Sequence, residues 1–186
     1  MIRVPVIFTM ALLLLLTACS RTEAGEPRAA EQRLSPPVPT PKDARGVEQC
    51  DALTADQISA LGGDPASVEF QEDEFALGPA CAWSAPDNRW AMSIAINSDP
   101  AVGGLETVYK NQQRGVLAIF EPFEIDGHPA VRAQQDTSPF CGIAIGLADT
   151  QLVSINMTRR DESVDTCEIA RQAGSALLSN LPPLER

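Results

Sequence analysis

Apolar and polar positions alternate along much of the second half of the chain. Trp90, Met92, Ile94 and Ile96 are interleaved with Ala91, Ser93, Ala95 and Asn97, a period of two that predicts a half-buried strand. Residues 81–85 read as a short strand, and residues 68–77 as an extended segment that Glu72-Asp73-Glu74 interrupts with a bulge or turn. Residues 119–125 and 129–135 flank Asp126-Gly127, a pair that favours a tight hairpin turn because Gly takes positive φ freely. Residues 140–148 and 151–158 predict a second hairpin around Asp149-Thr150.

Three segments carry helical signals. Thr54-Ala55-Asp56-Gln57 has the Thr-x-x-Gln spacing of a capping box, and Gly62-Gly63 with Pro65 stops the helix that follows. Residues 104–113 place Leu105, Val108 and Tyr109 on one helical face. Asp165 with Glu168 caps a last helix running to about Asn180, with Cys167, Ala170, Gly174, Leu177, Leu178 and Leu181 as its inner stripe. Strands cluster and helices stand apart, so the expected class is α+β, a mainly antiparallel sheet packed by two or three helices.

The N-terminus follows a different rule. After Arg3, residues 4–16 form an apolar run of 13, short of the roughly 20 that a membrane-spanning helix needs and of signal-peptide length. Leu16-Thr17-Ala18-Cys19 follows at once and looks like a bacterial lipobox, whose Cys receives a diacylglycerol after the leader is cut. Residues 1–18 are therefore expected to be a lipoprotein signal peptide and Cys19 the lipidated first residue, its palmitate-type acyl chains anchoring the protein without spanning the membrane. Residues 20–46 hold five prolines (Pro27, Pro36, Pro37, Pro39, Pro41) and no apolar periodicity, so 19–46 is expected to be an anchor and tether. A flexible coil of that length spans roughly 30 Å. The remaining 47–186 is expected to be one domain.

Charge narrows the partners. Lys+Arg is 14 against Asp+Glu 25, a net charge of −11, which argues against nucleic acid and against electrostatic docking on anionic lipid. Twelve of the basic residues are Arg and two are Lys, the usage of a GC-rich bacterial genome.

Besides Cys19 there are four cysteines: Cys50, Cys81, Cys141 and Cys167. An even number in an exported chain implies disulfides, and four cysteines allow three pairings that sequence does not separate. Cys50–Cys81 with Cys141–Cys167 is favoured, since each bridge then ties a helix N-terminal region to a strand through a compact loop. No Cys-x-x-Cys is present, so redox or metal roles are not expected.

Several short motifs stand in a recognisable order. They are the lipobox, the Pro-rich tether, Cys50 before a short helix, Gly78-Pro79-Ala80-Cys81-Ala82-Trp83, Asp126-Gly127-His128-Pro129-Ala130-Val131, Cys141 in a strand, and Cys167-Glu168-Ile169-Ala170 opening the last helix. In this order the chain resembles the actinobacterial lipoproteins catalogued as domain of unknown function 3558, over nearly its whole mature length. The residues before Cys50 lack the Pro expected there. The resemblance implies an exported, membrane-anchored, disulfide-bonded domain of unassigned activity and brings no catalytic residues. The order of elements also resembles the helix-covered sheets of Mog1/PsbP-type proteins.

Candidate chemistry is sparse. His128, the only histidine, follows a turn and reads as a solvated turn residue; no Gly-x-Ser-x-Gly elbow accompanies it. Glu69, Glu72, Asp73 and Glu74 lack the order of a calcium loop and read as a solvated edge that discourages strand pairing. Asn156-Met157-Thr158 matches a glycosylation sequon without reason for use in a bacterial lipoprotein. In 141–148, Gly142, Ala144, Gly146 and Ala148 share one strand face, so a helix, partner or apolar ligand can approach closely; tight packing within the domain is the favoured meaning. Trp83 and Trp90 read as core or rim anchors. No enzyme, cofactor or metal is expected. The expected role is a binding module for a protein or cell-wall partner, lipid-anchored on the extracytoplasmic face of the cell membrane. The alternative is a carrier or sensor of a lipid or other apolar small ligand. A hydrolase resting on His128 ranks third.

Overall fold

A computed structural model describes residues 33–72 and 78–185. One seven-stranded sheet is built from β1 (Asp64–Gln71), β2 (Ala80–Ser84), β3 (Trp90–Asn97), β4 (Ile119–Ile125), β5 (His128–Gln134), β6 (Phe140–Ala148) and β7 (Gln151–Arg159). The strand order is β1-β2-β3-β7-β6-β5-β4, with every pairing antiparallel. Three α-helices, α1 (Ala55–Ala60), α2 (Leu105–Gln113) and α3 (Thr166–Asn180), pack on it, which gives the expected α+β class.

The first sheet face carries the core. Trp83, Trp90, Met92, Ile94, Ile143, Ile145, Val153, Ile155 and Met157 are buried there beneath α1 and α3. Asp165 caps α3 by accepting the Glu168 amide at 3.0 Å. Thr54 and Gln57 form both halves of the capping box on α1. The Gln57 carboxamide then exchanges hydrogen bonds with Asn180, at 3.1 and 2.8 Å, tying α1 to the end of α3.

Both disulfides take the favoured pairing. Cys50–Cys81 and Cys141–Cys167 have Cα separations of 5.0 and 5.2 Å and clamp the core face at two corners. Asp126 and Gly127 both have positive φ (49° and 77°), the turn that suits the twist of the β4–β5 hairpin.

Two expectations need correction. β1 begins at Asp64 instead of 68, with a register irregularity between Asp64 and Glu69 that accommodates Pro65; residues 73–77 lie outside the described residues. Residues 33–46, read from sequence as tether, lie on the domain. Val38 and Ala44 are buried, and the Lys42 and Asp43 amides donate to the Leu147 and Pro182 carbonyls. Ala44 donates to Gln151 Oε1 at 2.7 Å, and Leu184 returns a bond to the Pro41 carbonyl. Proline presets φ and so lowers the entropy lost on ordering, which lets a few contacts hold a segment without periodicity.

Candidate functional site

The second sheet face is made of small and neutral side chains. Register places Ala82, Ser93, Asn156 and Gly142 in one row across β2, β3, β7 and β6, with Ser84, Ala91, Thr158 and Phe140 in the next. Part of this face is covered. α2 packs Leu105 and Val108 against Val131 and Ala144, with Tyr109 and Phe120 meeting edge to face at 5.0 Å. Gly146 permits this cover: a Cβ there would stand 3.2 Å from Val38 Cγ2 and 3.4 Å from Leu105. Gly104 (φ 58°) starts α2 so close to the β6–β7 turn that a Cβ would lie 2.6 Å from the Asp149 carbonyl oxygen. The small-residue face of β6 therefore receives a helix and residue 38 at one end, the packing role favoured from sequence.

Residues 33–35 are held against the start of α2 by charge. Leu34 and Ser35 donate their amides to Glu106 at 3.1 and 2.9 Å, and Arg33 pairs with Asp149 at 2.5 Å. Burial opposes ionisation of Glu106, but the Ser35 amide and hydroxyl, the Leu34 amide and the Lys110 charge outweigh it and hold its pKa below the ordinary value.

Towards Phe140 and Thr158 the face stays open. Three hollows meet there, and Asn156 lines all three. One, about 180 Å³, lies over Ala82, Ala91, Ser93 and Thr158 and is bounded by Gln71. A second, about 480 Å³, is walled by Pro139 and Phe140. A third, about 140 Å³, reaches under Asn111 of α2. Among the described residues, Arg159 is the single charged one lining any of the three. The Gln71 Oε1 atom is buried without a hydrogen-bond partner. Asn156 donates Nδ2 to Ser154 at 3.2 Å, and its Oδ1 lies 3.0 Å from where a Cβ of residue 142 would stand. Gly142 is thus what leaves the carboxamide its place.

Two other hollows are less coherent. The largest, about 560 Å³, opens beside Cys167 at the start of α3, where Arg132 and Arg159 are balanced by Glu162 and Asp165. Arg132 is already paired with Glu121 at 3.2 Å, and Asp165 is engaged as the α3 cap. A groove of about 340 Å³ runs beside β1 between Pro65, Val68 and Trp83.

The candidate residues named from sequence do not assemble into one site. His128 is buried (2 % exposed) at the first position of β5, opposite Ile125, which corrects its reading as a solvated turn residue. Its Nδ1 lies 2.9 Å from the Gly146 carbonyl oxygen; a carbonyl only accepts, so Nδ1 carries the proton. Glu69 and Glu72 are exposed on and just after the edge strand β1; Asp73 and Glu74 lie outside the described residues, as does Cys19. Cys50, Cys81, Cys141 and Cys167 are spent in the two disulfides. Trp83 and Trp90 are core residues. Among the described residues no group of three or more His, Cys, Asp or Glu is placed to hold a metal ion. No helix among them is long and apolar enough to cross a membrane.

Sequence reading missed Gln71 and saw Asn156 and Thr158 only as parts of a sequon. The available signal was the run of small neutral residues at alternate positions of two strands, Ala91, Ser93 and Ala95 with Ser154, Asn156 and Thr158. No curated protein and no solved structure matches the chain. A family model does match, over residues 14–180, a span that takes in all four disulfide cysteines and every strand and helix named above. The chain therefore belongs to the family described as protein of unknown function (DUF3558).

Proposed function

We propose that this protein is a non-catalytic binding module of the cell envelope, anchored to the extracytoplasmic face of the membrane through Cys19. Its protein or cell-wall partner lies on the open part of the second sheet face. The carrying observation is the convergence of three hollows on Asn156, beside a buried Gln71 oxygen that has no partner. Among the described residues these hollows present carboxamides, hydroxyls and one guanidinium, that of Arg159, a set suited to holding a ligand. The anchoring part rests on the 13-residue apolar run, the Leu16-Thr17-Ala18-Cys19 motif and two disulfides, which persist in oxidising compartments.

A photoreactive side chain at exposed Thr158 is expected to capture a reproducible neighbour on intact cells. The same group at exposed Ser179 on the outer side of α3 is not. Equal capture from both positions, or from neither, refutes the assignment of the surface. Cys19→Ala is expected to release the protein from the membrane fraction; retention there refutes the anchor.

The 480 Å³ hollow keeps the alternative of an apolar ligand in view, since it exceeds the roughly 300 Å³ of a small-molecule site and has Pro139 and Phe140 in its wall. It opens to solvent and shares Asn156 and Thr158 with its neighbour, so a purely apolar occupant stays half wetted and leaves amides unpaired.

A further inference from the structure

We infer, resting on the reading of the open sheet face above, that its ligand is an uncharged carbohydrate. The floor offers two carboxamides, Gln71 and Asn156, and two hydroxyls, Ser93 and Thr158, in one hollow whose lining carries no charge among the described residues. Carboxamides and hydroxyls both donate and accept, and so does every sugar hydroxyl. The Gln71 Oε1 is buried without a partner, so its carboxamide gains by turning into the hollow when a ligand arrives, and a sugar hydroxyl satisfies either end of it.

Other ligand classes fit this chemistry less well. A phosphate or carboxylate brings acceptors to a surface that already holds an unpaired acceptor and finds, among the described residues of the lining, only Arg159 for its charge. An ammonium group finds no carboxylate among the described residues of the lining. A peptide cannot extend the sheet here, because β3 and β7 are interior strands with both edges already paired. A hydrocarbon strands the amides, at about 1–3 kcal/mol for each group left unpaired.

The shape agrees with the chemistry. Ala82, Ser93, Asn156 and Gly142 span four adjacent strands, a floor about 14 Å wide. Its outer end rises into Pro139 and Phe140, an apolar wall for the C–H face of a sugar ring. The polar hollow and this wall share Asn156 and Thr158, so a hydroxyl-bearing edge and a C–H face are met side by side.

The test uses the full chain in detergent on an array of neutral pentose, hexose and N-acetylhexosamine oligomers, with acidic polysaccharides alongside. At least one neutral oligomer is expected to bind saturably, with an affinity that does not change between low and high salt. Asn156→Ala and Gln71→Ala are each expected to weaken that binding about tenfold with the thermal midpoint unchanged. Preference for acidic polysaccharides, or binding that both substitutions leave intact, overturns the inference. If no neutral oligomer binds while the Thr158 photoprobe still captures a neighbour, the ligand class is wrong and the surface assignment stands. If both fail, both readings fall.

Discussion

Replacing Gly174 by Ala sets two opposed effects against each other at one atom. Within α3, exchanging Gly for Ala favours the helix by roughly 1 kcal/mol. The added Cβ, however, would lie 2.6 Å from Ile145 Cδ1 and 3.1 Å from Ile125 Cδ1. Carbon atoms pack best at about 3.5–4.0 Å, so α3 and the sheet must part by roughly 1 Å or Ile145 must leave its rotamer. Ile145 is fully buried in the same core cluster as Ile155 and Leu177 and has little room to turn. Overpacking of this kind costs about 1–3 kcal/mol, which exceeds the helical gain. The expected net loss is about 1 kcal/mol, read as a fall of about 2–4 °C in the thermal midpoint of the oxidised protein. A rise in the midpoint would refute the packing argument. Ile145→Val sharpens the test because it removes the Cδ1 atom; alone it is expected to cost about 0.5–1.5 kcal/mol. Combined with Gly174→Ala it is expected to cost about 1 kcal/mol less than the two single losses together, and strict additivity would place the conflict elsewhere.

Two further perturbations probe the frame of the domain. Removing one bridge by Cys141→Ala with Cys167→Ala is expected to lower unfolding free energy in urea by about 3.5 kcal/mol, from the 26-residue separation it closes; a loss under 1 kcal/mol would mean that the reduced chain is already constrained. The pKa of Glu106 is lowered in the fold, so its hold on residues 34 and 35 is fully present above the ordinary carboxylate pKa of about 4.3 and is lost as pH falls through the folded value. Hydrogen exchange at Leu34 and Ser35, corrected for intrinsic rates, is expected to accelerate across that acidic window. In Glu106→Gln it is expected to be fast already at pH 7 and to lose its pH step; unchanged protection would show that other contacts hold the segment.

What the sequence made legible follows from where its physics is local. Alternation located β3, β6 and β7 because their core positions are large and apolar, while the facing positions are small or polar. Capping residues located α1 and α3 because the Thr54 and Asp165 bonds span three residues. β1 was misplaced because Asp64-Pro65-Ala66-Ser67 has no pattern of its own and becomes a strand by lying along β2. His128 was misread for a related reason. A two-residue turn makes the next residue a strand position, and register then turns it to the same side as Ile125. Residues 33–46 fold through partners more than 100 residues away, such as Leu147 and Pro182, and nothing local announces them. The candidate site is illegible on the same grounds: Gln71, Ser93 and Asn156 lie on three strands and meet only through the sheet.

The docking of residues 33–46 also has a mechanical consequence. A pull applied at residue 33 loads the Arg33–Asp149 pair first, then the two amide bonds to Glu106, and then the Lys42 and Asp43 bonds to Leu147 and Pro182. These links follow one another along the chain, so they are met one after another as in a zip, and each holds by only about 1 kcal/mol if neutral and somewhat more if charged. Peeling all of them, with the Leu184–Pro41 and Ala44–Gln151 bonds and the buried Val38 and Ala44 side chains, releases 14 residues, about 45 Å of extended chain, without breaking a strand pair of the sheet. The bonds are ordinary intramolecular ones and re-form when the load drops. A segment that looks like a static clasp therefore gives the domain a reversible reserve of length, drawn on under tension before any strand pair of the sheet is at risk.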